Sequence, residues 1–425
     1  MNIKEYKEKL FKSDTRRRLI ENFLSLSILQ IANYILPLIT LPYLVRVLGP
    51  EKFGLIAFSQ AFIGYFIILT DYGFNLSATR DISINRENKE KVSEIFSSVM
   101  IIKLALMIIS LILMSVIIFS FEKFRKDWIV YYLTFGMVVG QVLFPTWFFQ
   151  GMEKMKYITF LNILAKVIFT VAIFVFVKKA SDYLYVPLLN SLGFIIAGML
   201  GLWIVFRDFE VNFKFVGLEE LKRQLKEGWM LFKTIIFVSA YRETNVFILG
   251  LIANNTITGY YSIAEKILKA VQSLQVPLGQ ALYPVFCTKY GMNKKNFKLY
   301  HFKYLKLIIL IYLSLTISFI LLSPYIIKIA AGKTYNESVL DLQILSVVIL
   351  VGGLNYYFGI LGLIPLKFEK EFSRFVMITG LLNIILCLTL SYLFSDIGAS
   401  VSLVLSETIL LILIILKIKT INREL

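Results

Sequence analysis

Twelve long apolar stretches separated by shorter polar ones set the frame of this chain. They fall at about 20–44, 53–74, 95–119, 129–150, 157–177, 184–206, 229–252, 257–284, 304–324, 339–364, 372–394 and 397–416. Each is long enough to cross the hydrocarbon core of a bilayer as a helix, which takes about 20 residues. The pattern predicts an all-α polytopic membrane protein with twelve transmembrane helices. The composition agrees: 58% of the 425 residues are hydrophobic and only 17% are charged, a balance that excludes an ordinary soluble enzyme.

The two longest polar connections, at about 207–228 and 285–303, fall on the same side of the membrane. The first contains GLEELKRQLKEGW from Gly217, in which Leu218, Leu221 and Leu225 alternate with Lys222, Arg223 and Lys226. Such a stretch either lies on the inner membrane surface or forms a solvated linker. It divides the chain into a tail (1–19), a first lobe of six helices (20–206), the linker (207–228), a second lobe of six (229–416) and a second tail (417–425). An internal repeat supports the division. Gly54-Leu55-Ile56-Ala57-Phe58-Ser59-Gln60 and Gly259-Tyr260-Tyr261-Ser262-Ile263-Ala264-Glu265 both read as glycine, four residues, a small residue, then Gln or Glu. With an even number of helices in each lobe, the repeats are parallel, an arrangement suited to alternating access by rocking around a central cavity.

Charge fixes the orientation. The chain carries 45 Lys and Arg against 28 Asp and Glu, a net +17. With the N-terminus inside, about 29 of the cations lie in cytoplasmic segments and about 9 in outer ones. Both termini are therefore expected in the cytoplasm, and most of the excess charge reports topology rather than nucleic acid or any other acidic partner. The first residues are charged rather than apolar, which predicts no signal peptide. Seven cations remain within or at the edges of helices: Lys103, Lys166, Lys233, Arg242, Lys266, Lys269 and Lys306.

Two cysteines (Cys287, Cys387) and one histidine (His301, in a basic loop and read as a surface residue) supply no metal cluster, disulfide framework or histidine-based triad. No catalytic residue, metal site or resident cofactor is expected, though coupling to protons or sodium stays open. Attention falls on charges inside spans, which are costly in lipid and tend to face protein or a wet cavity. Arg242 and Glu243 lie deep in the seventh span. Adjacent helical residues point about 100° apart, so they cannot satisfy each other. Glu265 and Lys269 are four apart and can pair on one helix face, which leaves Lys266 for an anion. Lys103 is shallow enough to snorkel, Lys166 is deeper, and Glu407 is placed to pair with either. Asp71, at the inner end of the second span, is a helix-end carboxylate or an ion-coupling group. Pro277 and Pro284 predict a break in the eighth span, Pro37 and Pro42 one in the first. Trp147-Phe148-Phe149 reads as an interfacial aromatic anchor.

Leu41 to Ser83, LPYLVRVLGPEKFGLIAFSQAFIGYFIILTDYGFNLSATRDIS, carries Arg46, Leu48-Gly49-Pro50, Phe53-Gly54, Asp71-Tyr72-Gly73 and Thr79-Arg80. This segment resembles the N-terminal signature of the Wzx-type polysaccharide-repeat flippases of the MOP exporter superfamily. PTWFFQGMEKMKYITFLNILAKV, from Pro145, resembles the family's Trp-Phe-x-Gln-Gly-x-Glu stretch; the second half resembles the family mainly in topology. The resemblance implies a MATE-like fold of two six-helix lobes. It also implies flipping of undecaprenyl-pyrophosphate-linked oligosaccharide repeats, for O-antigen or capsule, from the inner to the outer leaflet of the bacterial cytoplasmic membrane. Membrane lipids, and with them a polysaccharide polymerase and a chain-length regulator, are the partners it implies; nucleic acid is not. The substrate-binding cations expected are Arg46 and Arg80 from the motif, with Arg242, Lys266 and Lys269 from position. Asp71, Glu243 and Glu265 are the ion-coupling candidates.

Two other readings compete. A drug exporter of the same superfamily calls for an acidic cavity, whereas the central spans hold more cations than carboxylates. A membrane polymerase or lipid-dependent glycosyltransferase calls for a long outer loop with catalytic groups, and every outer loop here is about 15 residues or shorter.

Overall fold

A computed structural model describes residues 14–292 and 295–424, without the side chains of Arg242, Glu243 and His301 among others. Expectations for those three side chains, and for most of the tail 1–19, lie outside the described residues. Among the described residues the chain is helical and has no strand. In order the helices are α1 (Asp14–Asp71), α2 (Phe74–Asn85), α3 (Lys89–Ser120), α4 (Glu122–Arg125), α5 (Trp128–Leu143), α6 (Thr146–Gly151) and α7 (Met155–Phe176). After a 3₁₀ turn, Ala180–Leu184, follow α8 (Tyr185–Asp208), α9 (Leu218–Ile252), α10 (Asn255–Ser273), α11 (Gln275–Met292), α12 (Lys295–Ala331) and α13 (Asn336–Asn355). A π-helical segment, Tyr356–Leu363, leads to α14 (Glu369–Glu424).

Among the described residues, eight helical stretches are long and apolar enough to cross a membrane. Two of them, Ser27–Asn85 and Glu369–Ile421, run to 59 and 53 residues, about twice what one crossing needs. The first is broken at Gly49 (φ 72°) in α1 and again at Tyr72 (φ 45°) and Gly73 (φ 82°) before α2; the second is broken at Ser395 (φ 57°) in α14. The helical break expected in the eighth span is present, since α10 stops at Ser273 and α11 begins at Gln275.

By packing, the chain forms two units. One comprises residues up to Pro37 with Phe62–Ile236; the other comprises Leu38–Ala61 with Phe237–Leu425. The segment of α1 around Gly49 therefore belongs with the second half of the sequence, although it is the first half that encodes it.

In the first unit, α5 packs along α8. The close approach depends on Gly136 and Gly140, a small-xxx-small pair of the kind that lets membrane helices touch backbone to backbone. A Cβ on Gly140 would stand 2.4 Å from the Phe194 carbonyl carbon. Trp147, Phe148 and Phe149 are wholly buried in the core, among Phe74, Ile82, Phe96 and Val205, so the expected interfacial anchor is corrected. The reason is local: the chain turns at Pro145 into the short α6, which packs under α2. The amphipathic stretch after Gly217 is the first part of α9, and Leu221 and Leu225 pack on that same core. Tyr72 stacks on Phe232 with ring centroids 4.8 Å apart.

In the second unit, α13 lies against α10, α12 and α14. A buried neutral network holds α9 to α14. The Asn245 amide donates to the Ala399 carbonyl (3.0 Å), the Asn383 amide donates to Asn245 (2.7 Å), and the Ser406 hydroxyl donates to Asn383 (3.1 Å). Satisfied amides and hydroxyls of this kind hold helices together in lipid without the cost of a charge. The two segments of the internal repeat meet here: Gly54 and Gly259 are in backbone contact, a Cβ on the first standing 2.5 Å from the amide nitrogen of the second.

Candidate functional site

Among the described residues of the first unit, two intramembrane lysines, Lys103 and Lys166, are withdrawn from solvent. At the end of α1, the Asp71 carboxylate faces the Lys103 ammonium of α3 at 3.6 Å and accepts a 2.7 Å hydrogen bond from the Asn75 amide. Lys103 is 1% exposed, so it does not snorkel. A carboxylate at a helix C-terminus is opposed by the helix dipole, and an ammonium from the neighbouring helix offsets this. Asp71, an ion-coupling candidate from sequence, is thus one half of a buried ion pair.

The second lysine lies in a small, half-open cleft between α7 and α8, lined by Asn162, Lys166, Phe169, Asn190 and Phe194 with the small Ala165 and Gly193. Asn162 and Lys166 are four apart on α7, as Asn190 and Phe194 are on α8, so each helix presents a polar and an aromatic group to the same space. The Lys166 ammonium donates to the side-chain Oδ1 of Asn33 in α1 at 2.7 Å. The Asn162 amide is tied to the Ile158 carbonyl at 2.8 Å, and the Asn190 amide reaches only the Met137 sulfur at 3.4 Å. An ammonium has three donors, and the bond to Asn33 uses one. A half-buried cation with carboxamides and two phenyl faces suits an anionic or hydroxyl-rich group: donors for phosphate or hydroxyl oxygens, ring faces for the apolar side of a sugar.

Among the described residues, each of the other sequence-predicted cations has a partner within its own unit. Arg46 donates to the Ile329 carbonyl in the last turn of α12, and its alkyl stem lies over Gly332 (φ 75°). There the guanidinium caps a helix C-terminus, satisfying an orphan carbonyl and the negative end of the dipole. Lys266 lies over the Phe53 ring, 4.7 Å from its centroid, in a cation–π contact. The Glu265–Lys269 pair forms as its spacing allows, at 3.1 Å. Glu407 meets neither Lys103 nor Lys166. It accepts from the Asn355 amide at 2.6 Å, where α13 passes into the π-helical segment.

Arg80 sits in a network at the start of α9. It pairs with Asp81 at 2.8 Å and with Glu227. Arg223 grips Glu220 at 2.6 Å, Glu227 at 2.8 Å and Asp81 at 3.6 Å. The hydrogen bond from Arg223 holds the Glu220 carboxyl below its ordinary range. The Arg80 side chain is 56% exposed, so solvent screens the pair. Arg80→Ala should lower stability by no more than about 1 kcal/mol. Thermal unfolding in detergent measures this, and a larger loss would mean that Arg80 anchors α9 on its own.

Sequence reasoning left Lys166 out of the expected site. The available signal was the recurrence of Asn33, Asn162 and Asn190 inside apolar stretches, but nothing in one dimension brings α1, α7 and α8 together.

Residues 19–288 match the family described as polysaccharide biosynthesis protein. The chain is 32% identical over 398 residues to a protein of Escherichia coli (strain K12) named as an O-antigen transporter, covering 94% of this chain and 96% of that one. A Shigella dysenteriae protein of the same name is 27% identical, covering 93% of this chain and 99% of that one. Among solved structures, the lipid II flippase MurJ in an inward closed conformation is similar with a TM-score of 0.68 at 14% identity, over 94% of this chain and 87% of that one. An inward-facing MATE-family multidrug resistance transporter of the MOP superfamily is similar with a TM-score of 0.66 at 14% identity, over 95% and 99%. The relatives are named as transporters, and the fold is that of transporters and flippases rather than enzymes. The chain is a multi-pass membrane protein of MATE-like fold.

Proposed function

We propose that this chain, which belongs to the polysaccharide biosynthesis protein family, is a polysaccharide-repeat flippase whose substrate is an undecaprenyl-pyrophosphate-linked oligosaccharide. It carries the glycan from the inner to the outer leaflet of the bacterial cytoplasmic membrane by alternating access, with twelve transmembrane helices in two lobes and both termini in the cytoplasm. The breaks within α1 and α14, together with the lengths of α9 and of α10–α11, support a count of twelve rather than eight. A polysaccharide polymerase and a chain-length regulator are its expected partners, and a proton or sodium gradient its expected drive.

The observation that carries the choice of substrate is the cleft around Lys166: an ammonium held by the Asn33 side chain, two lining carboxamides and two phenyl rings, with no carboxylate among the lining residues. A pyrophosphate must find positive charge in a medium where charge is costly, and a glycan needs hydrogen-bonding side chains. The prenyl tail needs neither and stays in lipid. A drug exporter for cations would call for an acid where Lys166 stands.

Lys166→Ala should cut delivery of surface polysaccharide about tenfold at equal protein level, since a charge-assisted hydrogen bond contributes about 1.5–3 kcal/mol. Lys166→Arg should keep much of the activity, and Lys166→Glu should abolish it. Immunoblots of surface glycan in a strain lacking its own flippase read all three, and full complementation by Lys166→Glu would remove the cleft from the transport path.

A further inference from the structure

At the start of α13, three carboxylates run from solvent into the protein. Glu337 is exposed in the first turn. Asp341, four residues on and so on the same face, is 0% exposed. Asp396 is 8% exposed and sits beside the Ser395 break in α14. Asp341 interacts electrostatically with both Asp396 and Glu337. Its Oδ1 accepts a 2.7 Å hydrogen bond from the Ser400 hydroxyl, while its Oδ2 is buried with no hydrogen-bond partner among the described residues.

The groups around Asp341 come from each helix that packs on α13. From α10 come the buried Tyr261, which interacts electrostatically with both Asp341 and Glu265, and Tyr260, which faces Glu337 and Asp396. From α14 comes Asp396, and from α13 itself Glu337. Among the described residues α12 brings no titratable side chain to it, and no cation forms an ion pair with it. Among the described residues, the charged groups acting on it are acidic.

A bare carboxylate with an unpartnered oxygen, away from water and beside two other acids, is among the most costly groups a protein can bury. A carboxylic acid at the same place costs only an imperfectly used hydroxyl. We propose that Asp341 is a proton-carrying site at the outer end of the second unit, loaded from outside through Glu337 and Asp396. On the inner side the line continues through Tyr261 to Glu265, whose partner Lys269 is 3.1 Å away. The step is a transfer of H⁺ alone: a hydronium ion outside gives its proton to Glu337 or Asp396, and that acid gives it to Asp341. The placement at the outer end rests on the orientation in the preceding section. The presence of the proton does not, nor does it depend on the identity of the glycan.

Infrared spectroscopy of the purified full-length protein in lipid nanodiscs tests this without any substrate. At neutral pH the wild type should show a protonated-carboxyl C=O band that Asp341→Asn loses, and the band should shift on transfer to D₂O. Asp396→Asn should slow that shift several-fold by removing the relay, while the band itself stays. The proposal is overturned by a band that survives in Asp341→Asn, by one that never shifts in D₂O, or by one that sodium chloride abolishes at constant pH, which would make this a sodium site. If Asp341→Asn does not fold, the D₂O shift in the wild type and its rate in Asp396→Asn decide. A failed infrared test leaves the flippase reading untouched; a failed Lys166 test leaves the proton site untouched.

Discussion

Replacing Lys103 with methionine should destabilise the protein by about 3–5 kcal/mol, because it strands Asp71 with half of its hydrogen bonding unmet. The ammonium is 1% exposed and the carboxylate side chain 16%, so solvent replaces little of what is lost. Asp71 would keep its bond from Asn75 and would still end α1 against the helix dipole. The informative comparison is the double variant Lys103→Met with Asp71→Asn. Removing both charges together removes the desolvation cost along with the attraction, so most of the single-variant loss should return. Thermal unfolding in detergent and the amount of inserted protein measure all three variants. A double variant as unstable as Lys103→Met would mean that the lysine stem, and not its charge, is what the site needs.

Any side chain at Gly54 should disrupt the second unit. A Cβ there would stand 1.9 Å from the Asn255 carbonyl oxygen and 2.5 Å from the Gly259 nitrogen; one on Gly259 would stand 2.0 Å from the Pro50 carbonyl oxygen. All three are backbone atoms, which cannot swing aside as a flexible side chain does, so the helices themselves must part. Overpacking of this kind costs about 1–3 kcal/mol for the smallest additions and more for large ones. Gly54→Ala and Gly259→Ala should each weaken surface polysaccharide, and Gly54→Leu should abolish it. Since both substitutions act on one contact, their combination should cost less than the sum of the two. A Gly54→Leu variant that complements fully would show that the two repeat segments do not need to touch.

The same contact marks how far the sequence could be read. The repeat at Gly54 and Gly259 was legible as a pattern, and it located two corresponding helix starts. That the two glycines meet was not legible, because a repeat states similarity and says nothing about adjacency. Arg46 makes a parallel case. Its motif pointed to substrate, and the structure shows it capping α12 nearly three hundred residues away in sequence. Trp147 to Phe149 looked like a membrane-surface girdle because aromatic residues at a span end serve that purpose often, but the turn at Pro145 sends them inward. Glu265 and Lys269 came out as their spacing allowed, since a pair four residues apart on one helix needs no tertiary information.

By itself the sequence determined what the bilayer imposes. An apolar stretch of about 20 residues must be helical in lipid, where backbone groups have no other partner, and the bias of lysine and arginine between loops sets the expected orientation. Both are properties of one segment at a time, so they survive in a one-dimensional record. Tertiary structure decided what each polar group inside those helices is for. Lys103 turned out to be a partner, Lys166 a cation in a cleft, and Asp341 an acid with no cation paired to it among the described residues, all three being charged residues in apolar surroundings. Burying a charge in lipid is costly everywhere, and what offsets the cost is the neighbour that another helix brings, which only packing supplies.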